Sequence, residues 1–578
     1  MEQKDSSAIP GQQFRLDERQ LKNDAGGYVF KIDDLDRLKR FLVLGADGGT
    51  YYAGERELAI ENIKCIADLI CNRRGKEVVD ILKTYSVEGR CPKQITIVYA
   101  LAFCARYHNG TLDQRFLETR KAAYDALNKI CRIPTDLFHF VAYCEDISKS
   151  NRGRSGTGWG RAQRKAISKW YLSQSPTKLA YHVTKYKQRD GWSHRDLLRL
   201  SHPKPSSKQK SHQIIFRFVT KGFSECKKLF DDPEQFPSKD EEVNKTFATL
   251  NAAQEALQLS MQDIPENEKE EKIIELIKNH DLVREHIPNT FLQSLKVWLQ
   301  MLFKMPMTAL IRNLGKMSSE GMFEDSVKHN GTEIAHRVAD WLKDEKRLEK
   351  ARIHPFNVLL ALKTYESGKG DKGSKTWNVN KNIVGALDEA FYKSFKFVKP
   401  TNKRYFLGID VSGSMSLDNC NGCSISPALA SAAMAMTTLR TEPKTFPMAF
   451  SDGLVPLKIN KDMKLADILK ETKKLMFGST DCAQPMIHAM KESIEVDVFI
   501  VYTDNETWTG DLHPFQALVD YRKKMNIPHA KLIVCAMAAN EFTIADPDDP
   551  LMLDIAGFDS AAPQIIAEFA QFEPQPVK

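Results

Sequence analysis

The feature that most constrains this chain is a change of hydrophobic rhythm near residue 400. From about residue 30 to 395, apolar residues recur at helical spacing. In "RELAIENIKCIADLICN", Leu58, Ile63, Ile66, Leu69 and Ile70 fall on one helix face. "KEVVDILKTYS", "TRKAAYDALNKIC", "EKIIELIKNH", "NTFLQSLKVWLQMLF" and "VGALDEAFYKSF" continue the pattern, separated by short polar or Pro-bearing turns. Many amphipathic helices without a strand pattern predict stacked helix pairs, an α-solenoid, although no fixed period marks the repeats. "KPTNKR", residues 399–404, is a polar, Pro-bearing joint. Beyond it, "RYFLGID", "TFPMAFSD", "VDVFIVYTDNE" and "AKLIVCAMAA" read as buried strands. Helical stretches alternate with them: "SPALASAAMAMTTLR", "KLADILKETKKLM" and "HPFQALVDYRKKM". This alternation predicts a mostly parallel sheet with helices on both faces. The expected organisation is multidomain: a flexible leader over 1–20, a helical domain over 21–403 and an α/β domain over 404–578.

Charge divides at the same joint. Residues 404–578 hold 15 Lys+Arg against 23 Asp+Glu, and residues 1–403 hold 68 against 52. A basic front half predicts a polyanionic partner. The eleven cysteines are scattered and odd in number, which fits a reducing compartment better than a disulfide framework. The polar start "MEQKDSSAIPGQQ" lacks a signal-peptide core, and the longest apolar run, Ile97 to Ala105, is too short to span a bilayer. These features predict a soluble protein inside the cell, cytoplasmic or also nuclear, without a membrane partner.

The basic charge concentrates in residues 148–221, where eighteen Lys or Arg face two Asp. Arg161, Arg164, Lys165 and Lys169 share one helix face by their i, i+3, i+4, i+8 spacing. Trp159, Trp170, Tyr171, Tyr181, Tyr186 and Trp192 are interleaved. Cations neutralise phosphates and aromatic faces stack unpaired bases, so the segment predicts nucleic-acid binding. Taken singly, each aromatic reads more readily as core. The glycines of "GRSGTGWGRA" follow no strand and lack a Gly-Lys-Ser/Thr ending, which argues against a nucleotide-phosphate loop. The mixed charges of residues 239–279 read as solvated helix faces.

In "DVSGSMS", the first buried strand delivers Asp410, Ser412 and Ser414 to its carboxyl end, where ligands sit in such folds. One carboxylate and two hydroxyls form a hard oxygen site suited to a divalent cation, Mg²⁺ above others. Thr480, in a loop, and Asp504, closing the strand "VFIVYTD", would complete it. The set resembles the metal-ion-dependent adhesion site of von Willebrand factor A domains, which implies an open position for an acidic protein partner. The competing reading is that Ser412 and Ser414 cap the next helix. Two acids and three hydroxyls without a positioned base argue for binding rather than catalysis. Cys420 and Cys423 form a lone C-x-x-C, short of the four ligands a structural zinc needs.

Several longer stretches resemble one family. "GGYVFKIDDLDRLKRFLVLGADGGTYY", "CRIPTDLFHF", "WGRAQRKAISKWY", "VTKYKQRDGWSHRDLLRLSHPKPSS", "MPMTALIRNLGKM", "ARIHPFNVLLALKTY" and "DVFIVYTDNETW" are similar to the Ro autoantigen, the TROVE-domain ribonucleoprotein family. The resemblance implies HEAT-like helical repeats closed into a ring by a von Willebrand factor A domain. It implies a non-enzymatic protein that binds Y RNAs and misfolded small RNAs with single-stranded 3′ ends, in RNA stabilisation and quality control. It places Arg161, Arg164, Lys165, Lys185, Lys187, Arg189, His194 and Arg195 in the RNA-binding region. The rival from another class is a protein-interaction scaffold that recruits an acidic partner through the metal site.

Overall fold

The computed structural model describes residues 11–45, 55–110, 113–152, 159–236, 239–326, 330–370, 376–395, 399–417, 425–472, 474–475 and 478–573. Two short strands, β1 (Gln20–Lys22) and β2 (Tyr28–Lys31), precede nineteen α-helices between Asp34 and Lys393 among the described residues. A hairpin of β3 (Gln188–Arg189) and β4 (Trp192–Ser193) interrupts them. Local chemistry sets the helix ends. Asp33 caps helix Asp34–Leu44 and Asp240 caps Glu241–Leu259, each carboxylate accepting an orphan backbone N–H. Through the first part of the domain each helix packs on the next but one: Gly75–Glu88 meets Gln114–Ile130, and Gln94–Arg106 meets Pro134–Arg152. That is the stacking of a helical solenoid.

The second unit begins with β5 (Arg404–Asp410). Then come β6 (Lys444–Phe450), β7 (Leu454–Pro456), β8 (Val498–Thr503), β9 (Lys531–Ala536), β10 (Phe542–Thr543) and β11 (Met552–Ala556). Six of them form one sheet in the order β11-β9-β8-β5-β6-β7, parallel except for β7 at one edge. Every residue of β8 and β9 is buried, because helices cover both faces. The expected strands and helices all appear at their places in the chain.

The solenoid closes on itself and on this unit. His354 Nε2 donates to the Arg90 carbonyl at 3.0 Å, and Asn357 donates to the Pro92 carbonyl at 3.1 Å. At the same joint Arg90 pairs with Asp559, and the Phe356 ring stands edge-on to Phe558 at 5.4 Å. The buried Arg40 guanidinium pairs with Asp554 of β11 and donates to the Phe542 carbonyl at 2.7 Å. The segment expected as a leader departs from that expectation in its described part, residues 11–20. Gln12 is buried, and its amide donates to Asp481 at 2.7 Å. β1 and β2 join β10 in an antiparallel three-stranded sheet. The approach is close: a Cβ on Gly27 would stand 1.9 Å from the Thr507 carbonyl oxygen.

Candidate functional site

The basic surface is built from two adjacent helices and the hairpin between them. Helix Arg161–Ser173 buries Gln163, Ala166, Ile167, Trp170 and Tyr171. That leaves Arg161, Arg164, Lys165 and Lys169 exposed on its other face. It packs against helix His194–Ser201, which exposes Arg195 and Arg199. The hairpin turn uses Asp190 at φ 51° and Gly191 at φ 78°, the backbone that a two-residue hairpin turn requires. It carries the exposed Arg189, and Lys187 stands exposed just before it. Trp159 meets Trp192 of β4 at 5.6 Å, tying the hairpin to the start of the first helix. Ser193 and Asp196 form a capping box on the second. None of Arg161, Arg164, Lys165, Lys169, Lys187, Arg189, Arg195 and Arg199 has an acidic partner among the described residues.

Two of the predicted RNA contacts are placed differently. His194 is buried, its Nδ1 2.8 Å from the Tyr171 hydroxyl and its ring edge-on to Phe138. Burial pushes its pKa down to about 4, outweighing the nearby carbonyls of Tyr186 and His182 that favour the protonated ring. It sits at i of an i, i+3, i+4, i+7 set with Leu197, Leu198 and Ser201, the buried face of its helix. Lys185 is largely covered. Its ammonium lies over the Tyr186 ring at 4.9 Å and 3.8 Å from Glu285. Of the six aromatics read singly as core, Trp159, Trp170 and Tyr171 are core, while Tyr181, Tyr186 and Trp192 are half-buried. The residues of the glycine-rich stretch over 153–158 lie outside those described.

The second site gathers three loops at the carboxyl ends of β5 and β8. Asp410 Oδ1 accepts the Ser412 N–H at 2.9 Å, and its Oδ2 accepts the Thr503 hydroxyl at 2.6 Å. The Ser412 and Ser414 hydroxyls stand 3.3 Å apart. The Gly413 N–H reaches the Gly478 carbonyl at 3.4 Å, and the Thr480 carbonyl accepts the Trp508 N–H at 3.0 Å. Asp410, Ser412, Ser414, Thr480 and Asp504 are therefore brought to one place, and all five are buried. Asp481 accepts from Gln12, Gln484 and the Ala483 N–H, a structural role. Cys420 and Cys423 lie outside the described residues.

Sequence reasoning missed a third acid here, Glu506, two residues past Asp504. It is buried, and its Oε2 accepts the Ala25 N–H at 3.0 Å. Burial pushes Asp410 up to about 7, aided by the Asp504 charge, and pushes Glu506 up to about 9 for the same two reasons. Asp504 is raised by burial too. No Lys or Arg pairs with these three among the described residues. Among the described residues no three acids converge as metal ligands, but Asp410 and Asp504 beside the Ser412 and Ser414 hydroxyls are the oxygen donors a hard divalent cation prefers.

Fold and sites together define a class: a helical solenoid closed on a von Willebrand factor A domain, with an unpaired basic face and a buried acid–hydroxyl site. Residues 21–364 match the TROVE domain model, and residues 404–570 match the Ro60 vWA domain model. The chain is 39% identical to RNA-binding protein RO60 of Caenorhabditis elegans, covering 97% of this chain and 91% of that protein. It is 35% identical to RNA-binding protein RO60 of Deinococcus radiodurans, covering 97% of each. The crystal structure of the Deinococcus radiodurans RO (RSR) protein aligns with a TM-score of 0.64 at 33% identity. That alignment covers 93% of this chain and 99% of that one. The chain belongs to the Ro60 family of TROVE-domain proteins.

Proposed function

We propose that this chain is an RNA-binding protein of small ribonucleoprotein particles. It takes Y RNAs and misfolded or defective small non-coding RNAs with single-stranded 3′ ends. It stabilises and sorts them inside the cell, in the cytoplasm or also the nucleus, by binding rather than by catalysis. The observation that supports this most is the set of exposed cations on helices Arg161–Ser173 and His194–Ser201, none paired with an acid among the described residues. Such a face repels itself unless a polyanion covers it. Recognition rests on shape and unpaired elements, because the A-form major groove is closed to side chains.

The A domain holds a divalent cation, Mg²⁺, in the same reading. Ser412, Ser414, Thr480, Asp410 and Asp504 are the residues that would hold it. Bound there, the ion supplies a positive centre for the carboxylate of an acidic protein partner. No helix among the described residues is long and apolar enough to cross a membrane.

A gel shift with a hairpin RNA bearing a single-stranded 3′ tail, repeated over a salt series, tests the RNA reading. Each phosphate contact contributes about 0.7 to 0.9 to the log–log salt slope. Changing Arg161, Arg164 and Lys165 to Ala should weaken binding and flatten the slope. Absence of a complex at modest salt would overturn the reading and favour the metal-site scaffold.

A further inference from the structure

A cleft of about 250 Å³ opens next to the basic hairpin. Helices Pro176–Lys185, Lys210–Lys221 and Glu241–Leu259 wall it with Val183, Phe218, Val219 and Leu257. The lining faces outward: Leu257 is 36% exposed. Gln254 stands in the same lining, and its carboxamide makes no hydrogen bond among the described residues. Nε2 of the buried His194, which also lines the cleft, lies outside hydrogen-bonding geometry with any neighbour. Lys187 and Arg195 also line it, and both are cations without an acidic partner among the described residues.

These features are separately ordinary and jointly selective. An apolar slot accepts the faces of a planar ring. An idle amide beside it reads a ring edge. Two unpaired cations hold phosphates. A hydrophobic peptide side chain would use the slot and leave the cations and the amide idle. Pockets for drug-sized ligands span about 300 to 1,000 Å³, so this one suits a single ring system rather than a longer ligand. We propose that the cleft captures one unpaired nucleobase of a bound RNA, with the flanking phosphates on Lys187 and Arg195 and the base edge at Gln254. The proposal rests on the RNA reading above. It adds a salt-independent component to an otherwise electrostatic surface, because stacking against apolar and aromatic side chains does not depend on counterions.

The test uses the full chain, a blunt RNA duplex and the same duplex with a single-stranded 3′ tail. A second set of tails carries one abasic nucleotide, moved along the tail. Leu257→Trp fills the cleft from an exposed position. It should weaken tailed-RNA binding about tenfold, the size of one lost base stack, with duplex binding and the salt slope unchanged. One abasic position should cost the native chain a similar factor and cost Leu257→Trp nothing further, as expected for two changes that remove the same contact. Gln254→Ala, which leaves the packing intact, should weaken tailed RNA alone by a smaller factor. It decides the matter if Leu257→Trp fails to fold. Unchanged tailed-RNA binding in both variants overturns the base site and leaves the RNA reading standing. Equal loss on duplex and tailed RNA also overturns it, since the cleft would then matter only to the phosphate surface. No binding of either RNA by the native chain overturns both readings.

Discussion

Helices Arg161–Ser173 and Glu266–His280 are both dense in charge, and they carry it differently. In the second, Lys269 pairs with Glu266 at 2.7 Å and Lys272 with Glu268 at 2.8 Å, each one helical turn away. Two of that helix's three lysines thus find their acids within it, as on a solvated face, while Glu270 pairs with Lys296 outside it at 3.2 Å. In the first, no acid occurs within the helix, and Arg161, Arg164, Lys165 and Lys169 remain unpaired among the described residues. Charge density alone does not point to a ligand. Charge without a partner inside the fold does.

The comparison breaks most directly at its basic side. Changing Arg161, Arg164 and Lys165 to Ala should lower affinity for a tailed hairpin RNA tenfold or more at moderate salt, and flatten the log–log slope by about 2. Changing the paired Lys269 and Lys272 to Ala should alter neither. Equal losses in the two variants would mean that pairing within a helix says nothing about ligands.

The next effect separates the basic face from the acid site. Added Mg²⁺ or Mn²⁺ should raise the melting temperature of the native chain and leave Asp410→Ala unmoved. At a hundredfold excess over its Kd an ion contributes about 2.7 kcal/mol. RNA affinity should be the same in both proteins. A variant that loses RNA with the metal would show that the two sites are one.

Acid should act next, through the basic region's own core. Burial and neighbouring lysines hold His182 down at about 3 and His286 at about 4, and burial holds His194 at about 4. In the unfolded chain these rings titrate near 6.5. As pH falls below that value the unfolded state takes up protons that the folded state refuses. The stabilisation is therefore complete above about pH 6.5 and is lost as pH falls toward 4. Calorimetry between pH 7.5 and 4.5 should show the helical part weakening over that window. A flat profile would contradict the buried placement of these rings.

The smallest effect is local. Ser193→Ala removes one half of the capping box on helix His194–Ser201 and should cost about 1 kcal/mol. Hydrogen exchange should then speed up in that helix and not in Glu266–His280.

Much of this was legible in the sequence because its signals are local. The rhythm change at 399–404 located the joint, and the alternation after it placed the strands. "DVSGSMS" with Thr480 and Asp504 marked a site whose members the fold brings together. Two features stand differently from their sequence reading. His194, chosen as a surface contact for its chemistry, has the spacing with Leu197 and Leu198 that buries it, and it reaches the cleft rather than the open surface. The Asp190-Gly191 turn went unread, although that pair is a strong hairpin signal. Residues 11–31 were a different case. Their pairing with a strand beyond residue 540 leaves no trace in neighbouring residues, so no local pattern could have shown it.

That last pairing bears on the order of assembly. β2 finds its partner β10 about five hundred residues later in the chain. At about 5 to 20 residues added per second, the first strands of a growing chain wait roughly 25 to 100 s for the one that completes their sheet. The helices between can stack as they emerge, each on its predecessors, while the β1–β2 ribbon offers only a four-residue edge to strangers. Completion of this three-stranded sheet is thus a late event of synthesis. A ribosome that stalls before Phe542 leaves a helical part whose basic face is already formed and whose ends can already meet through His354 and Arg90, while its first two strands still lack the partner that ties them to the second unit.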